Sequence, residues 1–369
     1  MDNKHFINNS AGDPLPCKYD TVCYSQLVRL AHFSVKEYLV SNRLERSHSH
    51  LSRYALGEMQ AHRSLSHKCC AYILYFTKQR DVKTWIDEEK PPRKKAASNT
   101  VYFVQSFVND FAPAYTLLPY ACRQWEHHQA LAELGEEPLP ADVRLHLRVL
   151  EDDRVRIAWL RLDGRSSYHH NWRDGTALYW AALLGLRQTL SLLCDSASSQ
   201  DVCKVGGHYL TALHAAANHG HEKAVEILIA GGADVNCNGG PFGTALQAAA
   251  HNRHQTIVDM LIANGADVNC IGGQFGTALI TAVTEGHTSI VSKLLQGNMS
   301  THTLNFKEEY YGSALDIAAD RGYEQIVEEL LQAGADHGDA MKVATEEGHE
   351  GVVRNLIKHG AVYEPANEA

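Results

Sequence analysis

Gly243-Thr244-Ala245-Leu246-Gln247-Ala248-Ala249-Ala250, then Ile257-Val258, Leu261-Ile262 and Gly265-Ala266-Asp267-Val268-Asn269, is the second appearance of one phrase. The first is Leu210-Thr211-Ala212-Leu213-His214-Ala215-Ala216-Ala217, then Val225, Leu228 and Gly232-Ala233-Asp234-Val235-Asn236, 33 residues upstream. A fixed period of that length is the signature of a solenoid. The phrase also reads physically. Thr244 is placed to cap a helix, because its hydroxyl can accept an orphan N–H of the first turn. That helix stops near Asn252, and its apolar positions are mostly alanine. Ala245, Ala248 and Ala249 predict a seam where neighbouring repeats approach closely. A second helix, about Gln255 to Ala263, carries Ile257, Val258, Leu261 and Ile262 as one apolar stripe. Gly265 falls where a left-handed cap is needed. Gly239-Gly240-Pro241 and Gly272-Gly273 are turn chemistry.

Helix, turn, helix and extended turn at this period resemble the ankyrin repeat. Thr211-Ala212-Leu213-His214 stands where that family writes Thr-Pro-Leu-His, and the Ala is a mild departure because proline there only preorganises the first turn. First helices are expected after Thr176, Thr211, Thr244, Thr277 and Ser313, at gaps of 35, 33, 33 and 36. A sixth, shortened unit starts near Asp339 and is loaded with Glu346, Glu347, Glu350, Arg354 and Lys358, as suits a C-terminal cap that must meet water. Trp180 occupies a position where alanine recurs later, which predicts a first unit adapted to pack on what precedes it. The expected fold is mainly α, an ankyrin-repeat solenoid of about five full repeats plus a short cap over residues 171–362.

Two regions precede the array. Residues 1–45 include Leu30-Ala31-His32-Phe33-Ser34-Val35-Lys36-Glu37-Tyr38-Leu39, which resembles the end of the winged-helix region that follows the NACHT nucleotide-binding domain in fungal NOD-like receptors. Here a strand is expected over Val22 to Leu30 and a helix over Val35 to Ser41, capped by Ser34. The Gly-Gly-x-x-Gly-x-Ala-Leu-Gln wording at Gly239 to Gln247 is common in the ankyrin arrays of those receptors. Residues 46–165 form a helical connector with helices within Ser52 to Gln79, Val101 to His128 and Asp142 to Leu160. Its words Leu117-Leu118-Pro119-Tyr120-Ala121-Cys122-Arg123-Gln124-Trp125 resemble the same receptors. The resemblance implies a C-terminal receptor piece that lacks the nucleotide-binding domain, which would lie upstream.

Charge is unevenly spread. Residues 1–170 carry 23 basic and 20 acidic side chains, whereas residues 171–369 carry 11 and 23, a balance of −12 against −9 for the whole chain. An array of that sign is poorly suited to phosphate backbones. Lys90-Pro91-Pro92-Arg93-Lys94-Lys95 is the one basic cluster, read as a solvated linker, with nuclear import or nucleic-acid binding as the alternative. No apolar run reaches the roughly 18 residues needed to cross a membrane, and no leader opens the chain, so a cytoplasmic protein is expected, with the nucleus as the alternative site. Nine cysteines without a Cys-x-x-Cys pair suit reduced thiols. His221, His287 and His349 recur at one repeat position and predict a structural role at a helix end. His62, His67, His127-His128 and His169-His170 lack metal-ligand spacing. No Gly-x-x-x-x-Gly-Lys-Ser/Thr phosphate loop is present.

These observations point to a non-catalytic module without a cofactor or metal, binding a protein partner on its concave surface. In the ankyrin family that surface is made by turn tips and exposed first-helix positions. The matching residues are Tyr179, Asn218, His219, Gln247, His251, Asn252, Ile280, Thr284, Asp316, Asp320 and Arg321. Asp316 and Asp320, four apart on one helix, predict a partner segment with basic residues. The rival readings are a nucleotide-switched NTPase whose catalytic domain lies upstream and a nucleic-acid binder using the basic linker.

Overall fold

The computed structural model describes residues 58–78, 118–134, 145–163, 174–308 and 312–361. The expected winged-helix elements within residues 1–45 and the basic cluster at 90–95 lie outside these residues.

Four helices precede the array: α1 (Glu58–Thr77), α2 (Leu118–Ala132), α3 (Leu145–Glu151) and α4 (Asp153–Asp163). The last two divide the helical stretch expected within Asp142 to Leu160, the second running on to Asp163. The repeats follow as pairs: α5 (Ala177–Leu183) with α6 (Arg187–Ser196), α8 (Ala212–Asn218) with α9 (Glu222–Ala230), and α10 (Ala245–His251) with α11 (Gln255–Ala263). Next come α12 (Ala278–Thr284) with α13 (Thr288–Gln296), α15 (Ala314–Asp320) with α16 (Glu324–Gln332), and the closing α17 (Ala340–Glu346) with α18 (Glu350–Lys358). The longer gaps of 35 and 36 have a cause. After α6 and α13 the chain inserts one helical turn, α7 (Ser199–Val202) and α14 (Thr301–Leu304), capped by Ser198 and Ser300. A short hairpin, β1 (Lys307–Glu308) with β2 (Gly312–Ser313), follows the second insert.

Each of the first five repeats starts as its capping residue dictates. Thr176, Thr211, Thr244, Thr277 and Ser313 are extended, and each hydroxyl accepts the N–H three residues on. That removes one orphan donor from a helix of only seven residues, too short to persist alone. Packing supplies the remainder. First helices stack on first helices and second on second from α5 and α6 to α17 and α18. Ala245, Ala248, Ala249 and Ala250 have no exposed surface at the first seam. Ile257, Val258 and Leu261 fill the second, each contributing about 1.5–3 kcal/mol by burial.

The helical region docks on the first repeat. Trp125, Trp159 and Trp180 are fully buried and meet edge to face, at 5.1 Å and 5.8 Å between ring centres. The Trp159 indole N–H donates to the Cys122 carbonyl at 2.8 Å. Trp180 thus fills the place that Ala215 and Ala248 hold in the next two repeats, because its neighbour here is a helical layer rather than another thin repeat.

Candidate functional site

The third residue of each first helix tells most about what the array can present. In four of the repeats its side chain bonds the turn of the next one. Tyr179 Oη accepts the Tyr209 N–H at 3.3 Å. His214 Nε2–H donates to the Gly243 carbonyl at 3.1 Å while Nδ1 accepts from the Thr211 hydroxyl at 2.8 Å. Gln247 closes a capping box with Thr244 and sends its Nε2 donors to the carbonyls of Gly272 (3.0 Å) and Gly276 (2.9 Å). The Gly243 backbone, at φ 89°, lies so close to Gln247 Oε1 that a Cβ there would collide with it. Asp316 caps its own helix with Ser313 and accepts the Asp339 N–H at 3.1 Å.

This arrangement corrects four sequence expectations. Tyr179 (2% exposed), Gln247 (1%), Ile280 (0%) and Asp316 (7%) lie inside the solenoid rather than on an open helix face. The reason is geometric. A seven-residue helix held between two neighbours and its own second helix has no free side in its middle, and only its C-terminal end emerges. His219, Asn252, Asp320 and Arg321 are accordingly exposed, with Asn218, His251 and Thr284 half-buried. Asn252 Nδ2 donates to Asn218 Oδ1 at 2.9 Å across the seam.

Three further residues join this row, and sequence reasoning missed them. Tyr209, Phe242 and Phe275 each stand two positions before a capping threonine, at intervals of 33 residues, and all are half-buried. Their rings lean on the helix ends. Tyr209 stacks on Phe242 (6.2 Å, 16°), Phe242 meets His251 (5.0 Å), and His251 stacks on Phe275 (5.3 Å, 27°). His219 abuts Tyr209 edge-on at 5.2 Å. The signal that could have found them was the 33-residue recurrence of an aromatic just ahead of each cap. Glu285, exposed at the end of α12, sets a carboxylate oxygen 3.4 Å from His251 Nδ1. Beyond the rings, the turn tips carry exposed Asn238 and Ile271.

The recurring histidines act as the sequence suggests. Nε2 donates to the end of the preceding first helix: His221 to Leu183 O (3.0 Å), His254 to Asn218 O (3.2 Å), His287 to His251 O (3.2 Å) and His349 to Asp320 O (2.8 Å). The glycine of each Gly-His pair has positive φ, and a Cβ at Gly220 would strike the His254 ring.

Burial pushes the Cys69 thiol up to about 12 and raises Cys70, Cys194, Cys237 and Cys270 as well, which leaves little nucleophilic thiolate. Among the described residues no three His, Cys, Asp or Glu side chains gather as a metal-holding group. Nor is any described helix long and apolar enough to cross a membrane.

Residues 178–272 and 246–340 match the family model described as ankyrin repeats (3 copies). A curated relative, the azaphilone pigments biosynthesis cluster protein L of Monascus ruber, is 29% identical over 224 residues. That match covers 57% of this chain, which spans 41% of the relative's length. Among solved structures, an ankyrin repeat domain from Acinetobacter baumannii is 26% identical, covering 50% of this chain and 98% of that one with a TM-score of 0.46. The ankyrin repeat domain of Bcl-3, described as a unique member of the IkappaB protein family, is 27% identical, covering 49% and 82% with a TM-score of 0.43.

Proposed function

We infer that this ankyrin-repeat array is a non-catalytic module that binds a protein partner, and that it does so on the concave side formed by its turns and first-helix ends. Ankyrin repeats typically mediate protein–protein interaction. The observation that carries the reading here is the row of half-buried rings Tyr209, Phe242, His251 and Phe275, bordered by His219, Asn252, Asp320 and Arg321. Aromatic surface kept at the edge of water, with polar groups around it, is the composition of recognition surfaces. The other side of the array is the charged outer face of the second helices, exemplified by the exposed Lys223–Glu226 pair.

The partner's contact segment is basic. The array carries −12, and the helix ends become acidic along the chain, from Asn218 and Asn252 to Glu285, Asp320, Glu346 and Glu347. The same sign argues against nucleic acid. The resemblance of residues 30–39 and 117–125 to fungal NOD-like receptors supports placing the module, in the cytoplasm, behind a winged-helix remnant (1–45) and a connector (46–165). In that reading any nucleotide switching belongs to an upstream domain.

A photo-crosslinking amino acid placed at Asn252 tests the surface, with one at Lys223 as the outer-face control. Capture of one defined protein from Asn252 and none from Lys223 is expected. Capture from Lys223 alone would move the binding face to the second helices.

A further inference from the structure

We propose that the ring row reads arginine side chains of an extended partner segment laid along the array. The proposal deepens the interaction reading and rests on it. Three observations combine. First, the rings are spaced for a strand. Successive centres lie 6.2, 5.0 and 5.3 Å apart, and alternate side chains of an extended chain recur roughly every 6.6 Å on one face. A segment running across the repeats therefore sets one side chain over Tyr209 or Phe242 and another on the same face, two or four residues on, over Phe275.

Second, the row is neither plainly apolar nor plainly charged. Each carbocyclic ring has an imidazole against it, His219 for Tyr209 and His251 for both Phe242 and Phe275. A purely aliphatic ligand would cover the His251–Glu285 pair without offering either group a polar partner. A planar guanidinium stacks on ring faces, keeps its N–H donors at the edge, and is weakly enough hydrated to shed water there.

Third, the acceptors are in place. Glu285 stands beside His251 at 3.4 Å, and the exposed Asp320 lies one repeat further, 3.6 Å from Arg321 Nε. A guanidinium over Phe275 thus has a carboxylate next to it, where lysine would offer a point charge without the planar stack. Charge complementarity with the −12 array acts over the whole segment.

Anisotropy titrations of the full chain with a fluorescent Gly-Arg-Gly-Arg-Gly-Arg-Gly peptide, and with its Lys and Leu counterparts, test the proposal. The arginine peptide is expected to bind about tenfold more tightly than the lysine peptide. Phe242→Leu with Phe275→Leu should remove most of that preference. Glu285→Gln, a change at an exposed position, should weaken the arginine peptide about threefold without touching the core. Equal affinity for Arg and Lys, or a preference unaffected by both variants, overturns the proposal. Tightest binding of the Leu peptide also overturns it, yet leaves a protein-binding surface in place. Preferential capture of single-stranded DNA would overturn it in favour of nucleic acid. Absence of peptide binding overturns it as well, and crosslinking from Lys223 alone would show in addition that the partner is held on the second helices instead.

Discussion

His214 and Gln247 occupy the same place in successive repeats and bind the next turn by different chemistry, so they can be exchanged as a test. Burial lowers the His214 pKa from 6.5 to about 4, and His221 is shifted in the same direction by the same cause. Between those values the unfolded chain holds a proton that the folded His214 does not, so stability must fall as pH drops from about 6.5 to 4. The full gap corresponds to at most about 3 kcal/mol. His214→Gln supplies the same donor without titrating. We expect denaturant midpoints within about 0.5–1 kcal/mol of wild type at pH 7.5 and a clear gain over wild type at pH 5. Gln247→Leu is a different matter. It leaves the Gly272 carbonyl and the Thr244 N–H without their partner in the seam, while the Gly276 carbonyl keeps only the Gly272 N–H, and should cost about 2–3 kcal/mol. Ala249→Leu should cost a comparable 1–3 kcal/mol by overpacking, since Ala249 has no exposed surface. Chemical denaturation of the two variants checks both.

At the scale of elements, the junction between the helical region and the array adds one buried carboxylate to the tryptophan contact. The second helices of most later repeats are preceded by a histidine bonded to the preceding unit, but Leu186, in that place before α6, can make no such bond. Glu133, 1% exposed at the end of α2, takes over. It accepts N–H bonds from Gln188 (2.8 Å) and Thr189 (3.4 Å), the Thr189 hydroxyl, and the Gln129 amide (2.8 Å). Burial holds its carboxyl above the ordinary glutamate value while these donors pull the other way. A charge at the positive end of a helix dipole belongs there. Glu133→Ala strands a set of buried donors and should destabilise the docked pair by about 2–4 kcal/mol. Amide exchange should show α2 and α6 losing protection together while α10 to α16 retain theirs. Uniform loss along the array would mean that the junction nucleates the whole solenoid.

Over the whole molecule, charge and repeat geometry set how a partner arrives. Lysine at Asp316 is a poor probe, because Asp316 is buried and holds the Asp339 N–H and the end of the β1–β2 hairpin through Lys307, 3.8 Å away. Glu285 and Asp320 are exposed and free to change without unpacking a seam. Glu285→Lys with Asp320→Lys should slow association with a basic partner severalfold at low salt and flatten the salt dependence of the on-rate. The dissociation rate should move less. Stopped-flow measurements at two ionic strengths distinguish this from a loss of contacts, which would appear in dissociation.

Sequence by itself determined the periodic part. A capping threonine, an alanine helix, an aliphatic stripe and a left-handed glycine are local requirements, each written in residue type, and α11 begins and ends at Gln255 and Ala263 as its stripe predicts. The acidic balance of the array was equally legible, since net charge needs no coordinates. Tertiary structure alone decided which side of a seven-residue helix remains open. Tyr179, Gln247, Ile280 and Asp316 look like surface positions in a helical wheel but are buried, because the neighbouring repeat and its turn close over them. Tyr209, Phe242 and Phe275 look like unrelated turn residues 33 apart, and stacking the repeats brings them to within ring contact of His219 and His251. Periodicity specifies what each repeat is, whereas the rise and rotation from one repeat to the next specify which side chains meet across the gap.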